Sequence, residues 1–324
     1  MENTFEEERN VAEKKQFIGL SQYKVAYNYE LAGKHFHLIM DSGDDISLFF
    51  LDGESVQIAE KGGQYVFESY ECLKGDDTTY LVHIQPTSGK GLINKSFVLD
   101  TAQSLVTMVL MEEAFDPEHP RLIRTTPFFG AIKVPGRELP EKRHHLSKRM
   151  VGRHIVWHYN DGMSLQHIYH SPNCVRASPG PGLTEDERLE IRYGKDLRSE
   201  DPEIRAKAEA GIREFKERQE WYPFYEEECF HVWISDSLNL FCFVEENMTL
   251  RSPEFGSGGG GILLLQDIDR CVDVGLCFSA GEYYMSTAFG EENDIEDPLD
   301  TAESPFDWSV LKAMPSIHWD IPEE

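Results

Sequence analysis

Two regions of the chain consist of short apolar or alternating runs that are separated by turn residues. The first region, residues 31–111, contains HFHLIM, ISLFFLDG, YLVHIQP, INKSFVLD and SLVTMVLM. The second, residues 151–285, contains RHIVWHY, SLQHIYH, CFHVWIS, LNLFCFVEE, ILLLQDID and VDVGLCFS. Short runs rich in Val, Ile, Phe and Tyr are typical of β-strands. The pattern predicts an all-β protein.

The two regions begin with sequences that align without a gap at a constant offset of 119 residues. AGKHFHLIMDSGDDISLFFLDGESV aligns with VGRHIVWHYNDGMSLQHIYHSPNCV. The identical pairs are Gly33/Gly152, His35/His154, Gly43/Gly162 and Val56/Val175. Later in each half, two strands flank a turn that contains Asp. Two copies of one antiparallel unit are therefore predicted, each closing into a small barrel or sandwich.

The remaining segments divide the chain into five parts. We predict an N-terminal arm at 1–30, a first barrel at 31–132, a linker at 133–149, a second barrel at 150–290 and an acidic tail at 291–324. The second unit carries a charged helical insertion at 183–220, with a helix start near Ser199. Its predicted apolar stripe comprises Ile204, Ala208, Ile212 and Phe215, at helical spacing. The insertion is either a lid over the barrel or a surface helix.

Composition narrows the class of partner. The 324 residues are 40% hydrophobic and carry a formal net charge of −27, which disfavours nucleic acid and anionic membranes as partners. No apolar run approaches the roughly 20 residues that span a bilayer, and the N-terminus lacks the apolar segment of a secretory signal. The six cysteines form no CxxC pair and are expected to be free thiols. We expect a cytoplasmic protein with a small-molecule partner, and we leave a homodimer open.

Glycine-rich segments do not indicate a nucleotide cofactor. The run from Gly256 to Gly261 satisfies GxGxxG, but it precedes the strand ILLLQD and no helix follows it. Gly89-Lys90-Gly91 lacks the ending and the helix of a phosphate-binding loop. No cofactor is predicted.

The hairpin VGRHIVWHYNDGMSLQHIYHS concentrates histidine and aromatic residues. A two-residue loop at Asp161-Gly162 predicts one face that carries His154, His158, His167 and Tyr169, and an opposite face that carries Ile155, Trp157 and Tyr159. Three imidazoles on neighbouring strands could bind zinc. No nearby Asp or Glu supplies a fourth ligand, so no metal site is predicted. A bulge would regroup both faces.

Glu245 ends the apolar run LNLFCFVE. Phe241 and Phe243 alternate with it and share its side of the predicted strand. A carboxyl group held in an apolar barrel has a raised pKa and can act as a general acid near neutral pH. The alternative is that Glu245 and Glu246 begin a solvated turn.

These motifs resemble two related families. Gly152-x-His154-x-x-Trp157-x-Tyr159-Asn160-Asp161-Gly162 resembles the opening hairpin of the phenolic acid decarboxylases, lipocalin-like barrels that remove a carboxylate from hydroxycinnamic acids without a cofactor. The two-copy layout over 31–290 resembles the MoaF family, named for molybdenum cofactor biosynthesis. That resemblance implies two tandem lipocalin-like (calycin) antiparallel barrels. It also implies that Trp157 and Tyr159 face the interior and that His154 and His158 lie outside or at a barrel end.

The resemblance also implies site residues. Phe243-Val244-Glu245 matches the Trp-x-Glu of the decarboxylases, whereas Trp157 and Leu165 replace two of their tyrosines, and their essential arginine cannot be placed. The corresponding residues of the first unit are Leu38, Met40 and Gln85, so the second barrel is the expected site. Glu245 and Tyr159 are the predicted catalytic residues. The predicted substrate-binding residues are Trp157, Leu165, His167, Tyr169, Phe243, Trp233 and His158.

The function expected from these residues is that of a cofactor-free lyase, isomerase or cyclase. Its substrate would be a small, largely apolar organic metabolite bound in the second barrel. The alternative is a non-catalytic binding or carrier protein of the lipocalin type. A protein that presents its acidic surface to a partner is the third and least supported interpretation.

Overall fold

The computed structural model describes residues 23–89, 92–113, 123–160, 163–179, 185–217, 224–248, 260–279, 282–294 and 303–306. Two closed eight-stranded antiparallel barrels follow one another along the chain. The predicted all-β fold of two tandem lipocalin-like barrels is therefore confirmed.

Barrel 1 is formed by strands β1 to β8, each hydrogen-bonded to the next, with β8 pairing back onto β1. The strands are β1 His35–Met40, β2 Asp45–Phe50, β3 Ser55–Glu60, β4 Val66–Lys74, β5 Thr79–Ile84, β6 Ile93–Asp100, β7 Leu105–Glu113 and β8 Ile123–Ile132. A short 3-10 helix, Thr87–Gly89, lies between β5 and β6. The predicted end of the first barrel at residue 132 coincides with the end of β8.

Barrel 2 is formed by strands β10 to β17, and β12 pairs with β13 across the insertion. The strands are β10 His154–Asn160, β11 Met163–Ser171, β12 Cys174–Pro179, β13 Tyr225–Trp233, β14 Leu238–Val244, β15 Gly261–Asp267, β16 Val272–Ser279 and β17 Glu282–Glu292. A two-residue strand in the linker, β9 His145–Leu146, pairs with the end of β13.

The internal repeat persists in backbone detail. Gly33 and Gly152 have φ angles of 76° and 87°, which a residue with a Cβ rarely adopts. The Gly33 N–H donates to the carbonyl of Phe50 and the Gly152 N–H donates to that of Tyr169, each at 2.8 Å. Because Tyr169 lies 119 residues after Phe50, the offset found in the sequence is conserved in the hydrogen bonding.

The opening hairpin of barrel 2 differs from its expected register. Ile155 pairs with His167 and Trp157 with Leu165, and a β-bulge shifts the register between His158 and Asn160. The bulge regroups the faces, because one extra residue reverses the side on which later side chains lie. The predicted face of His154, His158, His167 and Tyr169 is therefore wrong.

Side chains alternate between the two faces of a strand, so the register shows which residues face the interior of barrel 2. His167 and Tyr169 lie inside the barrel with Trp157 and Tyr159, whereas His154 and His158 lie on the outer surface. The interior position of Trp157 and Tyr159 agrees with what the family resemblance implied.

The two barrels pack against each other through their outer faces. The residues of this apolar interface share the outward side of their strands: Leu73, Leu81, Val98, Val109, Met111 and Phe129 in barrel 1, and Phe230, Val232, Leu238, Leu240, Cys242, Val244, Leu263, Leu265, Val274, Leu276, Phe278 and Met285 in barrel 2. Strands β5, β14 and β15 are consequently buried on both faces. Their sequences are therefore continuous apolar runs, whereas a strand with one face in solvent would alternate apolar and polar residues.

Polar side chains are also enclosed at this interface. His83 is fully buried; its Nδ1 lies 3.0 Å from Ser96 Oγ and its ring lies 4.1 Å from that of Tyr283 in barrel 2. His144 of the linker lies with Nδ1 2.8 Å from Thr107 Oγ1 and with Nε2 3.8 Å from Asp100 Oδ2. The linker therefore takes part in the contact between the barrels.

The insertion forms two helices, α1 Glu185–Leu197 and α2 Pro202–Glu217. The helix start predicted near Ser199 agrees with α2, which begins at Pro202 and whose N-cap Asp201 accepts the N–H of Glu203 on Oδ1 at 2.8 Å. The preceding helix α1 was not predicted. Ala208 of the predicted apolar stripe is buried, but Ile204 is 41% exposed. No side-chain placement is described for Phe215.

The order of the strands, in which each pairs with the next along the chain, fixes the end of barrel 2 at which the insertion lies. In an up-and-down barrel, successive connections alternate between the two ends. The connections after β10, β12, β14 and β16 therefore lie at one end of barrel 2, which we call the insertion end. Glu245, directly after β14, lies at this end together with the helices.

In the part of the chain that the structure describes, no helix is long and apolar enough to cross a membrane.

The buried imidazole of His83 predicts a loss of stability in acid. Burial lowers the pKa of His83 to about 3, below the value of about 6.5 in an unfolded chain. The stability that depends on neutral His83 is present above pH 6.5 and is lost as the pH falls from there towards 3. We expect this residue alone to cost about 2 kcal/mol of the free energy of unfolding between pH 7 and pH 5.

Urea unfolding at both pH values measures this effect. His83→Gln should flatten the decline, whereas the exposed residue His35 serves as a control, because His35→Gln should leave it unchanged. An equal decline in the free energy of unfolding for wild type and His83→Gln would show that His83 is not the cause of the acid sensitivity.

Candidate functional site

The interior of barrel 2 contains the predicted site and is rich in polar and aromatic side chains. The strand registers bring the following inward-facing residues together: Trp157, Tyr159, Leu165, His167, Tyr169, Glu227, Cys229, His231, Asn239, Phe241, Phe243, Ile262, Leu264, Gln266, Asp273 and Cys277. Of the nine residues predicted for the site, seven lie within or at the end of this barrel interior: Tyr159, Trp157, Leu165, His167, Tyr169, Phe243 and Glu245.

Stacked rings line one side of the barrel interior. His231 stacks on Phe241 with ring centroids 4.7 Å apart, and Phe241 stacks on Phe243 at 5.0 Å. His167 meets both phenylalanines edge-on, at 5.6 and 5.2 Å. Such geometry stabilises ring pairs beyond the burial of their area. The cluster gives the interior an aromatic wall.

A hydrogen-bond chain crosses the same interior. Asn239 Nδ2 lies 3.3 Å from His231 Nδ1 and donates to Gln266 Oε1 at 3.0 Å. Gln266 Nε2 donates to Tyr169 Oη at 2.8 Å, and Trp157 Nε1 donates to the same oxygen at 3.0 Å. The Tyr169 hydroxyl oxygen is thus the acceptor on which two buried donors depend.

Asp273 is a carboxyl group that the sequence pattern does not single out. It is fully buried; Oδ1 accepts the N–H of Ala288 at 3.0 Å, and Oδ2 has no hydrogen-bond partner among the described residues. Burial raises the pKa of Asp273 to about 8. In VDVGLCFS, Asp273 alternates with an apolar set that marks one buried face of β16, but both faces of this strand are buried.

Tyr159 lies within the electrostatic reach of two carboxyl groups. Burial, followed by the charges of Asp273, Tyr169 and Glu245, raises its pKa well above the ordinary value. The small residue Ala288 occupies β17 between β10 and β16, in register with Asp273. Tyr159 therefore remains a protonated hydroxyl that can donate a hydrogen bond inside the barrel.

Glu245 is 3% exposed, so it does not begin a solvated turn. Its backbone N–H donates to the carbonyl of Gly260 at 2.9 Å. The neighbouring carboxylate of Glu227 accepts the N–H groups of Glu246, Asn247 and Met248 at 2.6 to 3.0 Å. The segment that follows Glu245 is thus anchored from inside the barrel.

Barrel 1 contains the same anchor, which separates structural from functional roles. Glu68, 159 residues before Glu227, accepts the N–H of Thr87 at 2.8 Å. Burial raises the pKa of Glu227 to about 8, but the shared contact indicates a structural role. At this offset the counterpart of Glu245 is Pro86, one residue after the Gln85 that the resemblance implied.

Two predicted substrate-binding residues do not lie in the interior. His158 is on the outer surface, with Nδ1 2.8 Å from Ser164 Oγ and its ring stacked on Phe289 at 5.0 Å. Trp233 is partly exposed at the end of β13 and stacks on His145 at 5.3 Å. The β-bulge accounts for His158. Trp233 lies on the same side as Asn239, its partner in the register, but at the end of β13, beyond the closed part of the barrel interior.

Barrel 1 provides an apolar version of the same interior. The repeat places Leu38, Met40, Leu48 and Phe50 where barrel 2 has Trp157, Tyr159, His167 and Tyr169. The counterparts of Gln266 and Asp273 are Leu99 and Val106. These barrel 1 residues are all buried in one hydrophobic cluster. The polar interior therefore distinguishes barrel 2 from its partner.

A cleft of about 230 Å³ lies between the barrels, away from this interior. Both of its basic residues have partners: Arg270 Nε donates to Asp267 at 2.6 Å, and Lys74 Nζ to Glu30 at 2.9 Å. Within the described ranges, no three His, Cys, Asp or Glu side chains are grouped as a metal ion would require.

The fold and interior define a tandem lipocalin-like barrel protein with one polar and one apolar barrel. The sequence matches no protein-family profile and no curated protein. The resemblance to the MoaF family and to the phenolic acid decarboxylases therefore stays a prediction.

The Tyr169 hydroxyl predicts a measurable stability effect. In Tyr169→Phe, Trp157 Nε1 and Gln266 Nε2 lose their acceptor in a buried site, which costs about 1 to 3 kcal/mol for each donor left unsatisfied. We expect the free energy of unfolding to fall by about 2 kcal/mol or more, measured by urea denaturation. Tyr284→Phe removes a hydroxyl from an exposed ring and should have almost no effect. Equal, small effects of both variants would contradict the role of Tyr169.

Proposed function

We propose that the protein is a cofactor-free acid–base enzyme that acts on a small, largely apolar organic molecule inside barrel 2. The observation that carries this proposal is Asp273, a fully buried carboxyl group with one oxygen unpartnered among the described residues. It lies in an aromatic barrel, within electrostatic reach of Tyr159. The reaction class is that of an isomerase, lyase or cyclase.

Asp273 is suited to supply a proton. Burial raises its pKa to about 8, so the carboxyl is mostly protonated near neutral pH and is still acidic enough to transfer its proton. General acids work best when their pKa lies near the working pH. The Val106 counterpart in barrel 1 cannot perform this step.

Glu245 and Tyr159 complete the set. Glu245 lies at the insertion end and accepts a proton from the substrate, while Asp273 delivers one to a second position. Tyr159 donates a hydrogen bond to oxygen on which negative charge develops. One proton is removed and one is added, so an isomerisation is balanced without a cofactor. The enzyme is reset when the proton on Glu245 is exchanged and Asp273 is protonated again.

Deuterium incorporation tests this proposal with the substrate still unidentified. The protein is incubated in D2O with a small-molecule extract, and mass spectrometry follows compounds that gain solvent deuterium. Proton-transfer catalysis by positioned groups contributes about 10² to 10⁴ in rate. We therefore expect Asp273→Asn to reduce labelling about 100-fold or more, and Glu245→Gln likewise.

The control and the alternative outcome are equally defined. Asp269→Asn alters an exposed carboxylate in the hairpin after β15 and should label like wild type. Retention of a small molecule through purification with no labelling in any variant would favour the carrier function instead. Labelling that survives Asp273→Asn would refute the assignment of the acid.

The pH dependence provides a separate prediction. Because Asp273 acts in its protonated form, the rate should fall about tenfold per pH unit above pH 8. Initial rates of labelling across this range measure the effect. A rate that rises through pH 8 would identify Asp273 as a base.

A further inference from the structure

The unpartnered polar atoms of barrel 2 describe the ligand that fits it. Among the described residues, His167 Nε2, Asn239 Oδ1 and Asp273 Oδ2 are buried without a hydrogen-bond partner, and all three side chains belong to the barrel 2 interior. Leaving such an atom unsatisfied costs about 1 to 3 kcal/mol. In barrel 1 the unpartnered buried side-chain atoms of the described residues face away from the barrel interior, at Thr79, His83 and Asn94, as does His158 Nε2 in barrel 2.

The hydrogen-bond chain assigns the proton on His167. Tyr169 Oη already accepts from Trp157 Nε1 and Gln266 Nε2, so its own hydrogen must point to another acceptor. The nearby acceptor is His167 Nδ1, 3.5 Å away. Nδ1 is then unprotonated, and in a neutral imidazole Nε2 carries the hydrogen. Burial lowers the pKa of His167 to about 3, which keeps the ring neutral.

The interior thus offers one free N–H donor at His167 and a free carbonyl oxygen at Asn239. The first calls for a ligand oxygen that accepts, and the second calls for a ligand group that donates. The aromatic wall of Phe241, Phe243 and His231 favours a flat ring.

The charge of the interior limits the ligand further. Its inward-facing described strand positions include carboxyl groups at Glu227 and Asp273 but no Lys or Arg. Arg176 lies on the outer side of β12 and pairs with Glu226 at 3.1 Å. Arg153 precedes β10 and its charge acts on Tyr169, but it is paired with Glu292. A buried anion without a cationic partner is strongly disfavoured. An ammonium group has no lone pair, so it cannot accept the hydrogen bond that His167 Nε2 offers.

We propose that barrel 2 binds an uncharged hydroxylated aromatic carbonyl compound, whose carbonyl oxygen accepts from His167 Nε2 and whose hydroxyl donates to Asn239 Oδ1. This inference rests on the proposed function for its site and names the substrate class. Asp273 Oδ2 is left to exchange its proton with the bound molecule.

Four probes of similar size separate the chemistries, with affinities measured by isothermal titration calorimetry on the full chain at neutral pH. Hydroxyacetophenone, used as its para isomer, carries the carbonyl and the hydroxyl. Para-cresol lacks the carbonyl, para-hydroxybenzoate is an anion and tyramine is a cation. We expect hydroxyacetophenone to bind about tenfold or more tightly than each of the others, which corresponds to about one good hydrogen bond.

Variants identify the donor. His167→Leu introduces the residue found at the equivalent position of barrel 1, Leu48. In this variant hydroxyacetophenone and para-cresol should bind with about equal affinity. His158→Gln on the outer surface of the same hairpin is the matched control and should keep the preference. The wild-type probe series decides the ligand class even if His167→Leu does not fold.

Each outcome is decisive. Tighter binding of the benzoate or of tyramine, binding of none of the four, or an unchanged preference in His167→Leu would overturn the inference. A carbonyl preference that depends on His167, without deuterium labelling of any substrate, would leave the ligand class standing and refute the enzyme. Labelling that depends on Asp273, without a carbonyl preference, would support the enzyme and refute the ligand class.

Discussion

The packing of one barrel against the other is the constraint on which the rest of the structure depends. Each barrel buries part of its outer surface in a shared apolar interface, so that strands such as β5 and β14 are enclosed on both faces. His83 and His144 are enclosed with them and must be held neutral or hydrogen-bonded in a dry environment. The interface also removes solvent from the outside of the barrel wall that holds Phe241 and Phe243. The candidate site therefore lies between a packed wall and the insertion end.

The sequence predicted the strands and their duplication, because alternation is a local property and the offset of 119 residues can be found by alignment. Gly33 and Gly152, one of the aligned identical pairs, both have positive φ angles in the structure. Register was less predictable. A single bulge beside His158 reversed one face of the opening hairpin, and nothing in YNDG specifies a bulge. Asp273 was missed because alternation identifies one buried face and cannot report that a neighbouring barrel buries the other.

The comparison of the two interiors shows which polar residues the fold itself requires. Barrel 1 closes with Leu38, Leu48 and Val106 at positions where barrel 2 has Trp157, His167 and Asp273. The same scaffold is therefore stable with an apolar interior, and each buried polar group in barrel 2 adds a desolvation cost that folding alone does not need. A hydrogen-bond chain offsets part of that cost, but three atoms of this interior, at His167, Asn239 and Asp273, remain without partners among the described residues. Functional sites commonly carry such local costs.

The repeat also separates burial from function, which a raised pKa alone does not. Glu227 and Asp273 are both buried carboxyl groups whose pKa burial raises to about 8. Glu227 has a counterpart in Glu68, and both accept N–H groups from the segment after the next strand, so the contact belongs to barrel closure. Asp273 has no polar counterpart, and one of its oxygens satisfies no described donor. Residues common to both barrels thus define the scaffold, and those found in barrel 2 alone are the ones on which the proposed function rests.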